Sequence, residues 1–67
     1  MIVEGLDITN GVIKHKGVAV GRCVQDFKHG YHPAIFVQVG KEGVWFEQDE
    51  KNLIEKIVVW VKKTLNI

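Results

Sequence analysis

The sequence predicts an α+β fold, in which an antiparallel sheet of four or five strands is followed by one C-terminal helix packed on one sheet face. Three observations carry this prediction. They are an Asn10-Gly11 turn between β-prone runs, a second pair of β-prone runs around a glycine-bounded gap, and helical spacing of apolar residues near the C-terminus. We expect residues 1–67 to form a single small domain with two layers.

The first hairpin is predicted by Asn10-Gly11, because this pair suits the two positive φ values of a type I′ turn. A two-residue loop also determines which residues face each other across the strands. The expected partners are Thr9 with Val12, Ile8 with Ile13, Asp7 with Lys14, and Leu6 with His15. One face then becomes apolar, and the other gains an Asp7–Lys14 pair of opposite charge that contributes about 0.2–1 kcal/mol.

The strand pattern changes phase after His15. Strict alternation beyond that point would place small residues on the core face and expose Val18 and Val20. A bulge or a bend at Lys16-Gly17 would return both valines to the core, and glycine in a strand often marks such a position. Residues 12–25 therefore form either one bulged strand or two strands joined by a tight bend.

A second hairpin is predicted over residues 34–39 and 44–48, with residues 40–43 as its loop. We expect Val39 to pair with Val44, which makes one face of this hairpin apolar near the turn. The reverse face then carries Phe36, Gln38, Trp45 and Glu47, with Gln38 opposite Trp45.

The C-terminal segment, residues 49–66, is predicted to be one helix. Asp49 and Glu50 lie near its start and Lys62 and Lys63 near its end, an arrangement that the helix dipole favours. Helical spacing also places one apolar stripe on this segment, formed by Leu53, Ile54, Ile57, Val58, Val61 and Leu65.

Composition narrows the class of protein. The single cysteine, Cys23, excludes a disulfide within the chain and fits a reducing compartment, so we expect a cytoplasmic protein. The N-terminal residues lack the basic start of a targeting segment, and the longest apolar run, residues 57–61, is far shorter than the ~20 residues that span a bilayer. The net charge of +1 is too balanced to indicate a polyanion partner by itself.

The segment FKHGYHPAIFVQVG, residues 27–40, raises the question of a metal or catalytic site. His29 and His32 flank Gly30, and Pro33 follows, which is a turn pattern. A zinc site would have to recruit Cys23 or His15, and no paired cysteine spacing supports it. We therefore predict a turn at the rim of a surface, with no metal and no cofactor.

Catalytic patterns are weak throughout the chain. The sequence contains no serine, and Cys23 lies in a valine-rich run where a free thiol behaves as a small hydrophobe. The glycines do not have the spacing of a phosphate-binding loop. We therefore expect a protein that is not an enzyme.

One sheet face is the candidate binding surface, since a single helix covers only the other face. The expected binding residues are Phe36, Gln38 and Trp45, together with the basic residues Lys14, Lys16, Arg22 and Lys28. Aromatic anchors of this kind favour a small interaction module that binds a protein partner or forms a homodimer. The alternative is single-stranded nucleic acid, whose bases stack on sheet aromatics while basic residues contact phosphates.

Overall fold

The fold is an open six-stranded antiparallel sheet followed by one helix packed against it, as seen in a computed structural model that describes residues 2–67. The elements are β1 (Ile2–Val3), β2 (Leu6–Thr9), β3 (Val12–His15), β4 (Val18–Lys28), β5 (His32–Val39), β6 (Glu42–Glu47) and α1 (Leu53–Leu65). Each strand lies beside its neighbours in sequence, so the sheet is a simple meander. The predicted two-layer α+β class is confirmed, with six strands instead of four or five.

Tight turns with left-handed backbone explain the meander. Asn10-Gly11 has φ values of 53° and 78°, and the predicted pairing of β2 with β3 is confirmed at all four positions. The same pair of positive φ values occurs at Glu4-Gly5 and at Lys16-Gly17. Two positive φ values match the twist of the flanking strands, so each turn reverses the chain in two residues.

Residues 12–25 belong to two strands, β3 and β4, and not to one bulged strand. The chain turns at Lys16-Gly17, and a bulge lies in addition on β4, where the register shifts between Ile13 and Lys14. Val20 is the extra residue of this bulge and packs against the core. The expectation for Val18 was wrong, because this side chain remains 63% exposed beside the turn.

The second hairpin has a tighter turn than predicted. Gly40-Lys41 alone forms the loop, Val39 lies opposite Glu42, and Val37 lies opposite Val44. Gly40 has a φ of 60°, and a glycine at the first turn position permits a two-residue loop that suits the strand twist. The expected pairing was therefore wrong by two residues, which leaves every side chain on its predicted face because alternation has a period of two.

The helix begins later than predicted, at Leu53 instead of residue 49. Asn52 has a φ of 59° and a ψ of 38°. Because this left-handed conformation interrupts a right-handed helix, the helix cannot extend back through Asn52 toward residue 49. Residues 48–52 therefore connect β6 to the helix. The helix ends as expected, since the left-handed Asn66 donates its N–H to the carbonyls of Lys62 and Lys63.

The core lies between the helix and one sheet face. Val37 and Val39 of β5 are buried against the apolar stripe of α1, and Val44 and Phe46 pack at its margin. The buried members of this cluster are Leu6, Ile13, Val37, Val39, Ile57, Val58 and Val61. The helix, residues 53–65, therefore covers the Val37 face and does not lie over the face that carries Phe36 and Trp45.

Gly21 is a test of how closely β4 and β5 approach on the core face. A Cβ at this position would lie 2.3 Å from the backbone oxygen of Gln38, and a backbone atom cannot move aside cheaply. We expect Gly21→Ala to lower the free energy of unfolding by about 1–3 kcal/mol, measured by urea denaturation. The exposed Ala19→Ser in the same strand serves as control and should change it by less than about 0.5 kcal/mol. Equal stability of the two variants would contradict this packing.

Candidate interaction surface

The centre of the uncovered sheet face, called here the open face, is an apolar cluster of Val24, Phe36 and Trp45. Phe36 on β5 lies directly opposite Val24 on β4 and directly opposite Trp45 on β6. The rings of Phe36 and Trp45 have centroids 4.9 Å apart and an interplanar angle of 52°. This tilted contact is a favourable arrangement for two aromatic quadrupoles, so the two rings form one apolar unit.

The Phe36 ring lies over Gly43 of the neighbouring strand. A Cβ on Gly43 would lie 2.6 Å from Cζ of Phe36, so the ring rests over the bare backbone of the neighbouring strand. Aromatic side chains commonly cover strand glycines in this way. The ring is therefore held between Gly43 and Trp45, and both side chains remain partly accessible to solvent.

Arg22 and Gln38 form a polar border on one side of the cluster. They lie directly opposite each other on β4 and β5, and Arg22 Nε donates a hydrogen bond of 3.0 Å to Oε1 of Gln38. Both residues belong to the predicted binding set, and the structure places both next to Phe36 in the strand register. Alternation of β4 explains this position, since Arg22 and Val24 lie two residues apart on one face.

His32 and Glu47 form a second polar border, for which the sequence analysis placed Glu47 on this face but included neither residue in the binding set. Nε2 of His32 lies 2.7 Å from Oε2 of Glu47, and their side chains are 47% and 56% exposed. Ala34, opposite Glu47, is only 1% exposed although it faces away from the helix. The signal that could have found His32 is its even spacing from Phe36, which places both on the open face.

Three of the predicted basic residues lie away from this cluster. Lys14 is on β3 opposite Asp7, Lys28 ends β4 opposite His32, and Lys16 occupies a turn position with φ of 53°. The structure thus brings Phe36, Gln38, Trp45 and Arg22 together as one patch and distributes the three lysines around it.

Among residues 2–67, the strands of the open face carry both signs of charge in equal number. By strand register its basic residues are Lys14, Arg22 and Lys28, and its acidic residues are Asp7, Asp26 and Glu47. The hydroxyl of Thr9 donates a 2.7 Å hydrogen bond to Asp7, and this bond lowers the pKa of the Asp7 carboxyl. The strand surface is therefore electrically mixed, with its apolar centre between charged borders.

The candidate zinc ligands are dispersed. Cys23 lies opposite Val37 on the helix-covered face, His29 lies in the β4–β5 turn, and His32 contacts Glu47 on the open face. Among residues 2–67, no three histidine, cysteine or acidic side chains come together as metal ligands. The predicted turn is confirmed at His29-Gly30, whose φ values are 58° and 82°, but it is shorter than expected, since His32 and Pro33 belong to β5.

Comparison of the chain with protein-family models, with curated proteins and with solved structures gives no match. Over residues 2–67, no helix is both long enough and apolar enough to cross a membrane.

Cys23 offers a test of the assignment of β4 to the core. The thiol is half-buried beside the helix, and burial raises the pKa of this thiol above its ordinary value. We expect iodoacetamide to alkylate the native protein more slowly at pH 8 than the urea-unfolded protein, because less thiolate is present and access is reduced. A native rate equal to the unfolded rate would contradict this placement.

Proposed function

We propose that the protein is a small non-catalytic interaction module that uses its open face to bind another protein, in the simplest case a second copy of the same chain. The observation that carries this proposal is the Val24–Phe36–Trp45 cluster at the centre of a sheet face that the helix leaves uncovered. Tryptophan residues that an interface buries, with polar residues around them, are among those that contribute most to the free energy of protein association.

The balance of charge favours a second copy over a polyanion. An isologous interface joins the same patch on both subunits, so each basic group needs an acidic counterpart on that patch. Over residues 2–67, the strands of the open face offer three charges of each sign, with Arg22 and Glu47 on opposite sides of the aromatic pair. A two-fold axis near Phe36 could therefore match opposite charges across the interface.

The size of the chain supports the same proposal. A standard interface removes about 800 Å² from each partner. That is roughly one sixth of the 4683 Å² surface of this chain. A domain of this length buries a small core, and burial of the aromatic pair against a second copy would add apolar area to it.

Trp45 provides the direct test of self-association. In sedimentation equilibrium we expect the wild-type protein to form a dimer. The dimer dissociation constant of Trp45→Ala should be at least about 30-fold higher than that of the wild type, since anchor residues contribute roughly 2 kcal/mol or more to the free energy of association. Phe27→Ala is the matched control, because Phe27 is 60% exposed and lies outside the cluster. Phe27→Ala should associate like the wild type.

The outcomes of this experiment separate the interpretations. A wild-type protein that stays monomeric at millimolar concentration would end the homodimer proposal and leave a different protein as partner. Equal association of wild type and Trp45→Ala would exclude the aromatic cluster as the interface. Circular dichroism of each variant verifies that it is folded, so a loss of association is not a loss of structure.

Single-stranded nucleic acid is the second candidate, and the contact of two sheet aromatics beside Arg22 is the observation that favours it. The mixed charge of the face argues against strong binding. We expect an amide NMR titration with a mixed-sequence single-stranded oligonucleotide at low salt to leave the signals of Phe36 and Trp45 in place. Shifts of these signals that vanish steeply with added salt would replace the protein-binding proposal with this one.

A further inference from the structure

A second surface, independent of the open face, lies where the last strand meets the helix. β6 is an edge strand of the open sheet, because its neighbour in the sheet order is β5 alone. The pair Val39–Glu42 closes the two-residue turn, so hydrogen-bonded and non-hydrogen-bonded pairs alternate from there along the hairpin. By this alternation Gly43, Trp45 and Glu47 direct their backbone N–H and C=O groups outward, as in any edge available for pairing.

A groove runs along this edge between β6 and α1. Its sheet side is Val44 and Phe46, and its helix side is a stripe at helical spacing formed by Asn52, Glu55, Lys56, Val59, Trp60 and Lys63. The groove has a volume of about 530 Å³. Val59 in the helical wall of the groove is 62% exposed, although exposure of an apolar side chain to water is unfavourable.

The helical wall of the groove is about as long as a short extended chain. The helical stripe from Asn52 to Lys63 rises by about 16 Å at 1.5 Å per residue. Five residues of a β-strand cover about the same distance at roughly 3.3 Å each. An added strand beside β6 would direct every second side chain toward the helix, where Phe46 and Trp60 present apolar surface.

The charges at the groove indicate what such a strand carries. Lys56 contacts Glu50, and Lys62 lies 3.6 Å from Glu4, so both lysines have an acidic neighbour. Lys63, at one end of the lining stripe, makes no ion pair with any of residues 2–67. Glu55 also lines the groove without an ion pair to any of residues 2–67, two helical turns before Lys63. A carboxylate on the bound segment is therefore favoured only at the Lys63 end, where it would give Lys63 its counter-charge.

We propose that the β6–α1 groove binds an extended peptide segment of another protein, which adds to β6 as a further antiparallel or parallel strand. The segment places one apolar side chain between Phe46 and Trp60 and a carboxylate near Lys63. Backbone hydrogen bonds to the edge strand supply affinity, and the groove supplies the choice of side chain. This proposal does not depend on the function of the open face.

The experiment uses the full chain as bait for a phage library of random seven-residue peptides. We expect enriched peptides that combine an aliphatic or aromatic residue with an aspartate or glutamate a few positions away. A synthetic copy of the most enriched peptide should shift the amide signals of Val44, Phe46, Val59 and Trp60 in NMR. Methylation of alternate backbone nitrogens in that peptide should weaken binding at least about tenfold, because strand pairing requires the N–H donors.

Two pairs of matched variants locate the site. Val59→Glu should weaken binding at least about tenfold, whereas Val18→Glu should not, although Val59 and Val18 are 62% and 63% exposed. Lys63→Glu should weaken the binding of an acidic peptide about tenfold and leave the binding of its uncharged amide analogue unaffected. Lys51→Glu, at an exposed side chain outside the groove, should change the binding of neither peptide. These four substitutions are at exposed side chains, so we expect every variant to fold.

Three outcomes would overturn the proposal. The first is a library selection without any enriched peptide. The second is an enriched peptide whose binding is unchanged by Val59→Glu. The third is a wild-type dimer that Val59→Glu converts to monomer, which would make a second copy of this chain the occupant of the groove. Failure of the open-face proposal is recognised separately, by the behaviour of Trp45→Ala in sedimentation.

Discussion

The packing of α1 on the Val37 face of the sheet is the contact on which the rest of the structure depends. Ile57, Val58 and Val61 are almost fully buried there against Val37 and Val39. This contact decides which sheet face is covered, and with it the environment of every strand residue. Cys23 lies half-buried with a raised thiol pKa because it shares the covered face, whereas Phe36 and Trp45 form a surface because they do not.

The helix also creates the groove at the sheet edge. A helix of thirteen residues packs its buried stripe on the sheet, and its adjacent stripe overhangs β6. Trp60 lies between these two stripes, since it packs against the core and also lines the groove. One element thus leaves two different surfaces for association, an aromatic sheet face and an edge-strand groove, and a small domain has room for both because they lie on opposite sides of β6.

Much of the fold and part of the site could be predicted because side-chain alternation tolerates an even error. The second hairpin was placed two residues out of register, yet Phe36, Gln38 and Trp45 lie on the predicted face. The error arose from the loop, since residues 40–43 contain two glycines and allow either a two-residue or a four-residue turn. The recurring pairs Glu4-Gly5, Asn10-Gly11 and Lys16-Gly17, six residues apart, were the available signal for the extra strands.

The sequence by itself determined the α+β class, the register of the first hairpin, the apolar stripe of the helix apart from the exposed Ile54, and the face to which each residue of the second hairpin belongs. These properties follow from local periodicity and turn chemistry, which neighbouring residues encode. Only the tertiary structure decided which face the helix covers, that Phe36 lies directly against Trp45 over Gly43, and that His32 meets Glu47. Those contacts join different strands, so they depend on loop length and helix placement, which no local pattern specifies.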